Sequence, residues 1–184
     1  MIQKKFSEIL KIILIFIPSA VVLWLVLPYL PPASFWYILL VPAIVWFATE
    51  LKVNWKDKSR IVNAIIIGIL LVIFNLIINY RGLVKGIYNI SSEYSLFFIS
   101  GNPIELLLIS LFGGIAWFLH LPKKFNLLYS IADIAMLSLF GGIAELFLLT
   151  QYGLMTYIIV AFPDPFFTYA LVWSILHFVY YKML

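Results

Sequence analysis

Long apolar stretches divided by short polar connections dominate the chain. A hydrocarbon layer about 30 Å thick needs roughly 20 apolar residues per helix. Six stretches answer to that length, at about 11–27, 35–51, 61–80, 103–121, 125–150 and 166–184. Backbone groups in lipid must find partners within their own segment, so these are predicted as helices. The alternating pattern of an outer-membrane barrel is absent. The expected fold is an all-α integral membrane protein, a bundle of six transmembrane helices forming a single domain over residues 1–184.

Composition moves the same way. Of 184 residues, 65% are hydrophobic and 11% charged, and the mean hydropathy is +1.10. Soluble domains run near about 45–50% apolar and about 25% charged. A water-soluble fold of this size cannot hide so much apolar surface, so the lipid bilayer is its predicted solvent and first partner. With no cysteine, disulfides, thiolate nucleophiles and sulfur-ligated metals are excluded.

The net charge of +4 is a matter of topology and does not point to nucleic acid. Lys4, Lys5, Lys11, Lys52, Lys56, Lys58, Arg60, Lys123, Lys124 and Lys182 fall on one side of the predicted spans, and only Arg81 and Lys85 on the other. The positive-inside rule makes the richer side cytoplasmic, with both termini in and a multi-pass position in the cell (plasma) membrane. The first span has the basic flank of a signal peptide, but Pro31-Pro32-Ala33-Ser34 is a poor cleavage site, so a retained helix is expected. Trp24, Tyr29, Trp36, Trp55, Tyr80 and Tyr181 sit near span ends as an aromatic belt would. The outer connection 82–102 holds a semi-apolar run, 87–100, predicted as a short interfacial helix after the third span. Pro163-Asp164-Pro165 breaks any helix in the connection 151–165.

Ser110-Leu-Phe-Gly-Gly-Ile-Ala116 in the fourth span returns as Ser138-Leu-Phe-Gly-Gly-Ile-Ala144 in the fifth, each five positions after an acid, Glu105 and Asp133. Adjacent spans run oppositely, so 105–116 and 133–144 form an inverted repeat. Duplication and a shared packing seam both explain it. The Gly-Gly pairs are expected where these helices cross.

Polar side chains among so much hydrocarbon carry the functional expectations, because a charge at mid-bilayer costs about 2.5–3.5 kcal/mol. Helical rise places Glu145 roughly 5 Å and Glu105 roughly 13 Å to the outer side of the Gly-Gly level, with Asp133 roughly 13 Å to the inner side. An outer cluster of Asn75, Asn79, Glu105 and Glu145, roofed by Asp164 and Arg81, is expected. The inner cluster gathers Asp133 and His177, with Glu50 and His120 at its rim. Tyr169, Trp173, His177 and Tyr181 recur every four residues, a stripe facing something other than lipid. Glu50 beside Lys52 also suits a snorkelling acid, and His120 a helix C-terminal cap.

No His-Glu-x-x-His, phosphate loop or nucleophile elbow occurs, and two histidines on different helices do not make a zinc site. Neither a metal nor a cofactor is expected. What remains is carboxylate acid–base chemistry in an aromatic cavity, or passage of a solute or proton through it. Glu105 and Glu145 are the candidate catalytic acids. Asn75, Asn79, Asp133, Asp164, Trp173 and His177 are the candidate substrate contacts.

Over 86–106 the chain resembles the membrane lycopene-cyclase domain family. That family's pattern is an Asp ending one helix, then Gly-x-Trp-x-Tyr, then Pro-x-Glu-Glu. Here Asn79 stands in the Asp position, Gly86-Ile87-Tyr88 resembles the middle block and Pro103-Ile104-Glu105 the last. Tyr88 replaces the Trp and Leu106 the second Glu. Glu145, Gly153, Tyr157 and Pro163-Asp164 are fragments of a second copy. The resemblance implies cofactor-free, proton-initiated cyclisation of a long isoprenoid, with Glu105 as an acid. Three expectations stand side by side: an intramembrane isoprenoid cyclase or isomerase taking a lipid-like substrate, a small-solute transporter or substrate-binding subunit, and a structural subunit of a homo- or hetero-oligomeric membrane complex.

Overall fold

The computed structural model of the chain describes residues 34–150, 153–159 and 164–184, with 21, 22, 25, 26 and 29–32 beside them. The first predicted span therefore lies almost wholly outside the described residues. The other five predicted spans fall on helices: α1 (Ser34–Val53), α2 (Lys58–Val84), α3 (Ile104–His120), α4 (Leu127–Ile143) and α5 (Asp164–Met183). A π-helical turn, Ala144–Leu149, continues α4. Ser34–Val53, Lys58–Val84 and Leu127–Leu146 are long and apolar enough to cross a membrane. α3 is as apolar but has 17 residues, and the Tyr, Trp, His and Ser of α5 dilute its hydropathy.

The helix ends have local causes. Asp57 caps α2 by accepting from Arg60 N at 3.3 Å, and Asn126 caps α4 by accepting from Tyr129 N at 3.4 Å. α3 stops at Leu121, whose extended backbone (φ −56°, ψ 153°) is the one that a following proline, Pro122, enforces.

α3 is the centre of the bundle, packed by α1 on one side and α2 on the other, while α4 packs on α5 and α5 also touches α2. The main core joins Ile61, Ala64, Ile67 and Leu71 of α2 to Ile115 and Phe118 of α3 and Leu176 and Tyr180 of α5. The opposite faces are no less apolar: Val62, Ile69, Ile73 and Ile77 of α2, Ile131 of α4 and Leu171 and Phe178 of α5 are all exposed. A smaller core of Phe35, Trp36 and Leu154 closes one end. Trp36, expected in an aromatic belt, is buried there edge-on to Phe35 at 5.5 Å. Tyr29, Trp55 and Tyr80 are exposed.

The interfacial helix expected in 87–100 does not form. The segment holds β1 (Tyr88–Ile90) and β2 (Phe98–Ile99), followed by β3 (Asn102–Pro103); β2 pairs with β3, and β1 pairs antiparallel with β4 (Met155–Tyr157). A distant partner strand satisfies the backbone groups of β1 better than one isolated helical turn would. The two Gly-Gly copies also serve different neighbours. A Cβ on Gly114 would lie 3.6 Å from the Gly68 Cα of α2, whereas Gly141 and Gly142 face the rings of Tyr169 and Phe166 on α5. The repeat is retained in one local detail: Ser110 donates to Leu106 O at 2.8 Å and Ser138 to Ile134 O at 2.6 Å.

Candidate functional site

β1 and β4 close one end of the bundle, and their register sets Tyr88 opposite Tyr157. Gly86 (φ +62°) and Gly153 (φ +67°) precede the two strands and take the left-handed backbone that turns each chain back. The tyrosine rings meet edge-on with centroids 5.7 Å apart. α2 receives the Tyr88 ring at Gly82, where a Cβ would lie 2.4 Å from it.

The two hydroxyls of this pair have different hydrogen-bond partners. Tyr88 donates to Asn79 Oδ1 at 2.7 Å; Asn79 donates in turn to Asn102 Oδ1, and the wholly buried Asn102 donates to Ser100 O at 3.2 Å. Tyr157 donates to Glu145 Oε1, and the Tyr169 hydroxyl faces the same carboxylate from α5. Gly141 gives Tyr169 its seat, since a Cβ there would lie 2.8 Å from the ring. Burial drives the Tyr88 and Tyr157 hydroxyls far above the usual phenol range. Both are proton-bearing donors throughout the physiological range. The carboxyl group itself stands in the π-helical turn, a rare arrangement that is frequent at functional sites.

Four further polar groups divide the other expected residues. Asn75 donates to Ser110 Oγ at 2.5 Å and is not part of the tyrosine network. Glu105, 1% exposed, accepts from Ser95 Oγ at 2.6 Å and Leu96 N at 2.8 Å, tying the loop before β2 to the first turn of α3. The expected outer cluster is therefore split: Asn79 joins Glu145 through the two tyrosines, while Glu105 and Asn75 have partners of their own. Asp164 and Arg81, expected as its roof, are both exposed.

At the other end, Asp133 and His177 meet. Asp133 Oδ2 accepts from Trp117 Nε1 at 2.9 Å and lies 2.8 Å from His177 Nε2; His177 Nδ1 lies 2.8 Å from Trp173 O. Trp173 is buried and stacked on Phe118 at 5.9 Å. Glu50 repeats the pattern, accepting from Trp46 Nε1 at 3.2 Å with His120 Nδ1 at 2.8 Å. Trp46 and Trp117 meet edge-on at 5.3 Å between the two acids. His120 is thus a partner of Glu50, and the α3 carbonyls it was expected to cap belong to Arg60, whose buried Nη2 donates to Leu119 O at 2.6 Å and to Leu121 O. Among the described residues, no three of His, Asp and Glu converge as metal ligands.

Sequence reasoning did not single out Tyr88, Tyr157 and Tyr169 as site residues, nor Asn102 or Trp117. The first two stood in the resemblance blocks and Tyr169 in the stripe of α5, but only the β1–β4 register sets Tyr88 against Tyr157, and only the packing of α5 on α4 brings Tyr169 to Glu145. Comparison with protein-family models, with curated proteins and with solved structures returns no match.

Proposed function

We propose that the chain is a multi-pass membrane protein that moves protons on a hydrophobic substrate at Glu145. Membrane residence is supported by α2, whose 27 residues span about 40 Å, more than the hydrocarbon layer needs, and by the exposed aliphatic faces of α2, α4 and α5. Six spans, cytoplasmic termini and the cell membrane follow from the charge distribution.

The observation that carries the chemistry is Glu145 in its π-helical turn, bonded by Tyr157 and faced by Tyr169. A carboxyl group flanked by phenols can hand a proton to an alkene and take one back from a neighbouring carbon. The first step forms a C–H bond and leaves a carbocation, and attack by a second double bond closes a ring. Loss of a proton to Glu145 then restores the acid. Electrons and protons balance without a redox partner, and in this reading the rings of Tyr88, Tyr157 and Tyr169 would stabilise the cation. The reading is therefore a cofactor-free cyclase or isomerase of a long isoprenoid. In it Asn79 and Asn102 hold the Tyr88 hydroxyl, and Glu105 keeps the covering loop in place.

Lipid extraction and mass spectrometry of the purified protein test the substrate class, and a co-purifying polyene is the expected result. On that substrate Glu145→Gln should lower turnover about 100-fold or more, the usual worth of a positioned acid, and Tyr157→Phe should lower it less. Full activity in Glu145→Gln removes the assignment. A second reading, proton-coupled passage of a small solute, is favoured by the buried Asp133–His177 contact. It predicts that Asp133→Asn changes the pH dependence of uptake in proteoliposomes, and unchanged uptake at every pH removes it.

A further inference from the structure

An open, apolar cleft lies at the other end of α1, far in sequence from Glu145. It has a volume of about 410 Å³ and is walled by Phe47, Ala48, Leu51 and Trp55, with Lys52 at its edge. That volume is within the range of roughly 300–1,000 Å³ typical of small-molecule sites. Its wall is almost wholly apolar, yet its rim is cationic. Lys58 Nζ lies 3.6 Å over the ring of Trp55, and Lys52 lines the cleft beside that tryptophan. Lys56 is exposed beside them.

Among the described residues, the nearby acids Glu50 and Asp57 have other partners, His120 and Lys123. The cleft therefore joins an alkyl-binding wall to two positive charges and an interfacial tryptophan. That combination matches one kind of ligand, a molecule with a long apolar chain ending in an anion. A membrane surface supplies it as an anionic phospholipid, each nearby lysine attracting the headgroup.

We propose that the Phe47–Ala48–Leu51–Trp55 cleft binds one anionic phospholipid, its acyl chain along the apolar wall and its phosphate on Lys52 and Lys58. The inference rests on the membrane reading but not on the Glu145 chemistry. The site lies on the side predicted to be cytoplasmic, where anionic lipid would anchor the short connection between α1 and α2.

The test uses the full chain in nanodiscs of phosphatidylglycerol or of phosphatidylcholine, with lipids retained after extraction into neutral detergent counted by native mass spectrometry. One phosphatidylglycerol retained in preference to phosphatidylcholine is expected. Lys52→Ala/Lys58→Ala should reduce that retention about tenfold or more. Ala48→Trp, which fills the cleft from an exposed position and leaves both lysines, should abolish it. Equal retention of the two lipids, or retention unaffected by either variant, overturns the site. Failure of the chain to enter nanodiscs at all overturns the membrane reading and the site with it, so the two failures are distinct.

Discussion

Asp133 Oδ2 lies 2.8 Å from His177 Nε2, although 44 positions separate the two residues in the chain. The side chains are 0% and 3% exposed. His177 Nδ1 faces Trp173 O, which can only accept, so that nitrogen carries a hydrogen. One proton is then shared across Nε2···Oδ2, and the pair is neutral as a unit whichever atom holds it. His177→Ala leaves Asp133 buried with Trp117 as its remaining donor and should cost about 3–5 kcal/mol. Asp133→Leu/His177→Leu, which removes both charges, should recover much of that loss in thermal melts. Equal loss in the single and double variants counts against the pairing.

The α2–α3 crossing separates two glycines of similar appearance. A Cβ at Gly68 would lie 2.5 Å from Ile115 Cγ1 and 3.1 Å from Leu111 O, and a backbone oxygen cannot yield cheaply. Gly68→Ala should therefore destabilise, since overpacking costs about 1–3 kcal/mol against the ~1 kcal/mol of helix propensity it gains. At Gly113 the nearest atom is Ala43 Cβ at 3.9 Å. Gly113→Ala should be neutral or stabilising by up to ~1 kcal/mol. Chemical denaturation of the two variants in one detergent checks the order.

Glu105 and Glu145 are expected to separate by experiment. Glu105 accepts from Ser95 and Leu96 N, and a hydrogen bond to a charged group contributes about 1.5–3 kcal/mol. Glu105→Gln should speed amide exchange at Leu96 by tenfold or more, on the order implied by that energy, while Glu145→Gln leaves it unchanged. Unaltered exchange in Glu105→Gln excludes the anchoring role.

Acid should loosen the start of α2. The hydrogen bond from Lys123, and after it the Arg60 backbone N–H, hold the Asp57 carboxyl below its usual value of 3.8. Its folded value is depressed, so the stabilisation is complete above the unfolded value and fades as pH falls through the folded one. Wild type should exceed Asp57→Asn in stability at pH 6, and the gap should close in acid well below 3.8, as pH falls through the depressed folded value. A gap of equal size at both pH values contradicts the assignment.

Helix positions were legible because segment length and hydropathy are local: 35–51 and 61–80 fall inside α1 and α2, and the five-residue offset of Asp133 marks a buried acid. The meeting of Asp133 with His177 was legible for a similar reason, since few groups in an apolar chain can partner an acid. The expected interfacial helix gives way to strands because β1 takes its backbone partners from β4, more than fifty residues on, which no local period reports, while β2 turns back on β3.

The chain by itself determined an apolar helical bundle and where its acids stand, because both depend on residue type and rise along one axis. Only the tertiary structure decided which group each acid meets. Glu145 owes Tyr157 to a strand register, and Arg60 owes its burial to the two carbonyls ending α3. Those choices follow from rotation and contact between distant elements, where the need to pair each buried polar atom selects one arrangement among many of equal hydrophobicity.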